Sequence, residues 1–194
     1  YGIIPGIVRV TSAFELFFVN SLGMPFNSGM YIHLLLFIAA LVLSVWYSFT
    51  HSDRLRIFLL AGATLLLSGI WLLTDSLLLN LVFLAAVVYG VWLLSTKQKI
   101  ALNTIMTSLL VIMIGYSSFA VILIRSTANP PMNENNPSNP FALLYYLNRE
   151  QYGQRPLFYG PYYNAPVTDY VKGKPTYNPS GDRYIITSRE TETE

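Results

Sequence analysis

Four long apolar runs most constrain what this chain can fold into. They occupy residues 29–49, 55–73, 76–94 and 100–124, and the stretches between them hold two to five residues. A helix needs about 20 apolar residues to cross the hydrocarbon core of a bilayer, where it satisfies its own backbone hydrogen bonds. Connections this short make neighbouring helices antiparallel. The sequence therefore predicts an all-α membrane fold, with four transmembrane helices in residues 28–125.

The charged residues divide the chain into a membrane region and a polar tail. Only 11% of the residues are charged, whereas soluble domains average about 25%. Residues 1–125 hold nine of the 22 Asp, Glu, Lys and Arg, and the last 69 residues hold thirteen. Residues 126–194 are therefore predicted to form a separate tail.

Composition also excludes several kinds of site. A net charge of +2 without a basic stripe argues against nucleic acid as a partner. The absence of cysteine excludes thiolate metal sites and cysteine nucleophiles. His33 and His51 lie at opposite ends of the first apolar run, so we predict no metal site and no cofactor in this chain.

Basic residues in the short loops predict the orientation. Arg54 and Arg56 follow the first run, and Lys97 and Lys99 follow the third, so both loops are expected in the cytoplasm. Arg125 is the one basic residue at the opposite end of a run. An integral protein of the inner (cytoplasmic) membrane, with both chain ends extracytoplasmic, is the resulting prediction.

Residues 1–27 are apolar but are interrupted by Pro5, Arg9, Glu15 and Pro25. An amphipathic helix lying in the outer membrane interface fits this pattern, with Phe14, Phe17 and Phe18 directed at lipid. The alternative is the end of an earlier membrane span. Glu15 is expected to pair with Arg9. Because the chain starts at Tyr1, it is interpreted as a piece of a longer polypeptide, whose remainder is then a partner.

The tail predicts a small extracytoplasmic α+β unit with one helix and one hairpin. Asn139 is a typical N-cap, Pro140 suits the first helical turn, and Gly153 suits a left-handed stop. Tyr177 and residues 184–187 flank an Asn-Pro-Ser-Gly-Asp turn, which predicts a hairpin.

Two groups of tail residues are candidate contacts for a ligand. Amides and charges around the end of the last run suit a sugar, a phosphate or an acceptor hydroxyl; this group is Arg125, Asn129, Asn133, Glu134 and Asn135. Tyrosines that alternate with prolines suit sugars or peptides; this group is Tyr159, Tyr162 and Tyr163. Turn formation is the alternative for Glu134 and its neighbouring asparagines, and extension to the lipid headgroups is the alternative for Arg125. A small tyrosine-rich core resting on the bilayer is the alternative for the second group.

Four segments resemble a known family. They are FELFFVNSLGMPFNSG at 14–29, NPPMNEN at 129–135, LNREQYG at 147–153 and YGPYYNAP at 159–166. The chain resembles a Bacteroidetes multi-pass membrane protein family of unknown function, which is related to transmembrane protein O-mannosyltransferases of the GT-C glycosyltransferase superfamily. The resemblance covers essentially the whole chain and corresponds to the family's later membrane helices and the junction to its outer domain.

The resemblance implies an enzyme that transfers sugar from a polyprenyl-phosphate donor to a protein hydroxyl on the periplasmic side. Its partners would be membrane lipid, a lipid-linked sugar and a protein acceptor. The family's catalytic carboxylate is expected in an upstream loop, so no catalytic residue is assigned to this chain. Two alternatives remain: a non-enzymatic anchor whose Tyr-rich tail docks envelope proteins, and a transporter subunit. The near absence of charge within the spans weakens the second.

Overall fold

The computed structural model describes residues 3–51, 53–72, 74, 76–128, 130–133, 136–149, 166 and 170–193. Seven α-helices are followed by two strands: α1 Ile3–Leu16, α2 Ser28–Thr50, α3 Arg54–Leu67, α4 Leu77–Lys97, α5 Lys99–Tyr116, α6 Ser118–Thr127, α7 Pro140–Asn148, β1 Tyr170–Ser180 and β2 Arg183–Thr193. A π-helical segment, Phe17–Ser21, extends α1.

Helices α2 to α5 form a closed ring, in which α2 and α4 each pack against both α3 and α5. Apolar side chains fill its interior, because the helices bury the residues that face one another; these are Ile57, Ala61, Val91, Leu102 and Met106. Helix α1 lies outside the ring against α2, and its Ile7 joins Phe37, Leu41 and Leu109 in a second cluster.

Four helical segments are long and apolar enough to cross a membrane: Ile3–Ser21, Ser28–Thr50, Leu77–Lys97 and Ile100–Thr127. The predicted number of spans is also four, but Ile3–Ser21 takes the place of the span predicted at residues 55–73. Helix α3 ends at Leu67 after 14 residues, which is about 21 Å of helix against a core of about 30 Å. A turn at Gly69, with φ of 64°, ends the helical path.

The N-terminal segment is a helix that packs against α2 and α7, and Ile3–Ser21 is long and apolar enough to cross a membrane, which fits the alternative interpretation of residues 1–27. Its buried residues include Ile7, Thr11 and Glu15. Phe14 packs on the His33 ring at 5.0 Å between centroids, so it does not face lipid as predicted. Gly29 lets the two backbones touch, because a Cβ there would lie 2.5 Å from Glu15 Cα.

The structure brings the two basic loops to one end of the ring. Arg56 donates to the Tyr47 hydroxyl at 3.3 Å, next to the α2–α3 connection. Asn103, in the first turn of α5, donates to the Ser48 carbonyl at 3.4 Å. The end of α2 and the start of α5 therefore lie side by side, as the orientation argument requires.

The predicted tail elements are present. The Asn139 side chain accepts a hydrogen bond from the Ala142 amide at 2.9 Å, which confirms the N-cap. Helix α7 ends at Asn148, where Arg149 takes the left-handed conformation with φ of 57°. The proposed stop, Gly153, lies outside the described residues. Strands β1 and β2 pair antiparallel across a turn at Gly181, which confirms the hairpin.

Candidate functional site

The amide-rich stretch predicted as a binding loop forms a hydrogen-bonded turn where the structure describes it. The Asn133 amide donates to the Ser126 carbonyl at 3.2 Å and to Asn136 Oδ1 at 3.0 Å. The buried Ser126 hydroxyl lies 3.0 Å from Asn133 Oδ1 and 3.1 Å from Asn136 Oδ1. Two of the amides therefore satisfy one another and the end of α6.

The remaining predicted contacts are not brought together by the described structure. Arg125 lies exposed in the last turn of α6. Six further residues fall outside the described residues: Asn129, Glu134, Asn135, Tyr159, Tyr162 and Tyr163.

Glu15 forms a fully buried polar centre of the described structure. Its side chain is 0% exposed. Oε1 accepts from the Asn27 amide at 2.5 Å, and Oε2 accepts from the Met30 amide at 3.0 Å. The Tyr184 hydroxyl donates to Oε1 at 3.1 Å. The carboxylate thus holds the first turn of α2, whose amide groups lack helical acceptors, and it does not pair with Arg9 as the sequence suggested.

Tyr184 attaches the hairpin to this centre. Its backbone N–H donates to Asn20 Oδ1 at 2.9 Å, and its carbonyl accepts from Asn20 Nδ2 at 3.0 Å. The Asn20 amide therefore pairs with β2 as a neighbouring strand would. The Tyr184 ring packs against Phe26 at 5.0 Å and Phe141 at 4.9 Å between centroids.

Burial raises the pKa of the Tyr184 phenol well above its ordinary value, and the Glu15 carboxylate adds to the shift by charge and hydrogen bonding. A phenol with a raised pKa stays protonated across the physiological range. It therefore remains available as a donor to the carboxylate.

His33 is the third buried ionisable residue among those described, and it joins three segments. Its Nε2 lies 3.0 Å from the Leu67 carbonyl, which can only accept, so Nε2 carries a hydrogen. Its Nδ1 lies 2.9 Å from the Thr11 hydroxyl. The ring links α1, α2 and the end of α3, which assigns it a structural role.

An open cleft of ≈ 460 Å³ lies between α1, the segment after α3, α7 and β1. Its lining combines one cation with hydroxyl, amide, aromatic and apolar groups: Arg9, Ser12, Ala13 and Leu16 from α1, Leu72 and Thr74, then Phe141, Leu144, Tyr145 and Asn148 from α7, and Pro175, Thr176 and Tyr177 from β1.

A break in the helical path supplies one wall of this cleft. Helix α4 begins at Leu77, so α3 and α4 are separated by the nine residues 68–76. Arg9 donates to the Leu72 carbonyl at 2.9 Å. The Arg9 guanidinium thus gives one of these non-helical carbonyl groups a protein partner. Asn80 supports the same segment by donating to the Thr74 carbonyl at 2.8 Å.

The cleft lies away from the basic loops. Thr74 is held by Asn80, which lies in the first turn of α4. Lys97, one of the basic residues of the second basic loop, lies in the last turn of the same helix. A ligand with an anionic group and an apolar part would match the Arg9 guanidinium and the surrounding aliphatic wall. Within the described ranges, no three His, Cys, Asp or Glu side chains come together as a metal site.

Sequence reasoning missed this cleft because its walls come from four separated segments. A usable signal existed for Arg9 and Glu15, since ionisable residues within an apolar helix are functional or structural candidates. Tyr184 gave no such signal among 14 tyrosines. No protein-family model matches the sequence, and neither a curated protein nor a solved structure shows significant similarity to the chain.

Proposed function

We propose that this chain is part of the membrane body of a GT-C-like glycosyltransferase, similar to protein O-mannosyltransferases, which transfers sugar from a polyprenyl-phosphate donor to a protein hydroxyl outside the cytoplasm. The observation that carries the proposal is the cleft, where one guanidinium faces an otherwise largely apolar lining. This combination suits an amphipathic phosphate ester better than a soluble metabolite.

Each part of such a donor has a matching group. Arg9 uses one N–H for the Leu72 carbonyl, and a guanidinium has five, so further donors remain for a phosphate. Tyr145 and Tyr177 supply aromatic faces of the kind that pack on sugar rings. Leu16 and Leu144 supply apolar surface for the first isoprene units. The base that activates the acceptor hydroxyl is assigned to the upstream part of the polypeptide.

The position of the cleft agrees with transfer outside the cytoplasm. The basic loops mark the cytoplasmic side by the positive-inside rule, and the cleft lies near the opposite end of α4. A donor bound there would present its sugar to acceptors on the extracytoplasmic side.

The proposal is tested by transfer from a polyprenyl-phosphate sugar with the full-length protein in membranes. Arg9→Ala is expected to raise the donor KM about tenfold or more, because a charge-assisted hydrogen bond is lost. Arg9→Lys keeps the positive charge but loses the planar fork of donors. Its donor KM should therefore lie between those of the unmodified protein and Arg9→Ala. Thermal stability, measured in parallel, separates loss of binding from loss of the Leu72 contact.

Arg125→Ala and Glu134→Gln test the loop predicted from the sequence. Lower transfer in these variants, together with normal transfer in Arg9→Ala, would move the donor site from the cleft to that loop. Normal transfer in all three variants would contradict the proposed function for this chain.

A further inference from the structure

Strand β1 forms one wall of the cleft, and its partner strand β2 contacts the helices through Tyr184. Strand β1 contributes Pro175, Thr176 and Tyr177 to the lining. The two-stranded hairpin that carries them is an arrangement with little stability of its own in water. Within the described residues, its position is supported by contacts with the helices.

The described hydrogen bonds among these contacts converge on a single residue. Within the part of the chain that the structure describes, three hydrogen bonds join the hairpin to the first helical segment, and all three involve Tyr184. Its neighbours Ile185 and Ile186 are half-exposed, whereas Tyr184 is 4% exposed. Tyr184 is thus inserted among the helices, while the next two residues of β2 remain at the surface.

The same residue is connected to the cleft lining through one ring. Phe141 packs against Tyr184 at 4.9 Å and against Tyr177 at 5.1 Å between centroids. Phe141 and Tyr177 both line the cleft. Withdrawal of Tyr184 from its site would release the packing that sets the position of Tyr177.

The acceptor side of the contact is fixed independently of the hairpin. Glu15 has two further donors that do not belong to the hairpin, the Asn27 and Met30 amides. Asn20 lies at the exposed end of the α1 extension, where water can replace a departing strand. The docking site can therefore exist empty, which a displaceable contact requires.

We propose that Tyr184, inserted between Glu15, Asn20, Phe26 and Phe141, is a latch that holds the hairpin as the movable wall of the cleft. With the latch closed, β1 forms one wall of the cleft that Ser12 and Arg9 also line. With the latch open, the cleft is accessible to a ligand as large as a lipid-linked sugar. Only this last role, admission of the donor, rests on the proposed function.

Cysteine accessibility tests the latch without any ligand. Residues 1–194 contain no cysteine, so an introduced cysteine is the one thiol of this segment that can be labelled. Ser12→Cys places a thiol in the cleft at a position that is 7% exposed. Ser44→Cys places one on α2, where the side chain is 2% exposed. Both are labelled with a small charged methanethiosulfonate reagent in membranes containing the full-length protein, with and without Tyr184→Phe.

The latch predicts that Tyr184→Phe accelerates labelling at position 12 about tenfold, since the lost bond is to a charged acceptor, with no change at position 44. Tyr89→Phe removes a hydroxyl from an exposed residue of α4 and should change neither rate. An unchanged rate at position 12, or an equal rise at both positions, would overturn the latch. The sugar-transfer assay of Arg9→Ala is separate, so either proposal can fail alone.

Discussion

The contact between α1 and α2 at Gly29 makes the sharpest stability prediction. A Cβ at this position would lie 2.5 Å from Glu15 Cα, 2.6 Å from the Phe14 carbonyl oxygen and 2.7 Å from the Glu15 nitrogen. All three are backbone atoms, which cannot turn aside as a side-chain end can. Ordinary contact starts at 3.4 Å, so Gly29→Ala requires α1 and α2 to separate by about 1 Å.

The cost of this separation follows from the bonds that it stretches. The Asn27 and Met30 amides reach the Glu15 carboxylate at 2.5 and 3.0 Å, and each bond to a charged group contributes about 1.5–3 kcal/mol. Partial loss of both bonds, set against the gain of about 1 kcal/mol for Ala over Gly in a helix, leaves Gly29→Ala destabilising by about 2–4 kcal/mol.

Gly62→Ala is the matched control, because nothing lies within 4 Å of a Cβ at Gly62 in α3. It should be neutral or stabilising by up to about 1 kcal/mol. The two variants are compared by thermal unfolding of the purified full-length protein in detergent. Equal stability would mean that α1 does not pack on α2 at this distance, and the α1 wall of the cleft would be lost with that contact.

Two further predictions concern the hairpin. In an ultraviolet titration, the difference between the unmodified protein and Tyr184→Phe should show one phenol that ionises above its ordinary pKa of 10.0. Because the folded-state pKa is raised, the stabilisation by this group is complete below pH 10.0 and is lost as the pH rises through the folded-state value; ionisation at the ordinary pH would show that the ring is not buried. Asn20→Ala removes both bonds to the β2 backbone, and exchange of the Tyr184 amide hydrogen should accelerate about tenfold. Unchanged exchange would mean that this strand is held by other contacts.

Much of the fold follows from local signals in the sequence. Helices α2, α4 and α5 follow from apolar length, the start of α7 follows from the Asn139-Pro140 pair, and the hairpin follows from its turn residues. Each signal acts over a few neighbouring residues. Local physical chemistry is therefore sufficient to predict these elements.

The end of α3 could not be predicted in the same way. The apolar run continues to Leu73, and the local stop signal at Ser68-Gly69 resembles a glycine within a helix, such as Gly62. The decisive contact is remote, because a Cβ at Gly6 would lie 2.6 Å from the Gly69 carbonyl oxygen. Two glycines 63 positions apart bring α1 and the turn together, and a sequence pattern does not show such a pair. The same holds for Glu15, whose partner Tyr184 is 169 positions away.

The geometry of α1 explains why its two charges serve different sites. Successive residues of a helix are about 100° apart, so the six positions from Arg9 to Glu15 place the two side chains about 120° apart around the axis. Arg9 and Glu15 therefore cannot pair along this helix, although they are its two oppositely charged residues. One face carries the carboxylate to the first turn of α2, and another carries the guanidinium to Leu72 and the cleft. Any change that moves α1 on α2 must therefore also move Arg9 in the cleft, so that Gly29→Ala should alter the donor KM as well as stability.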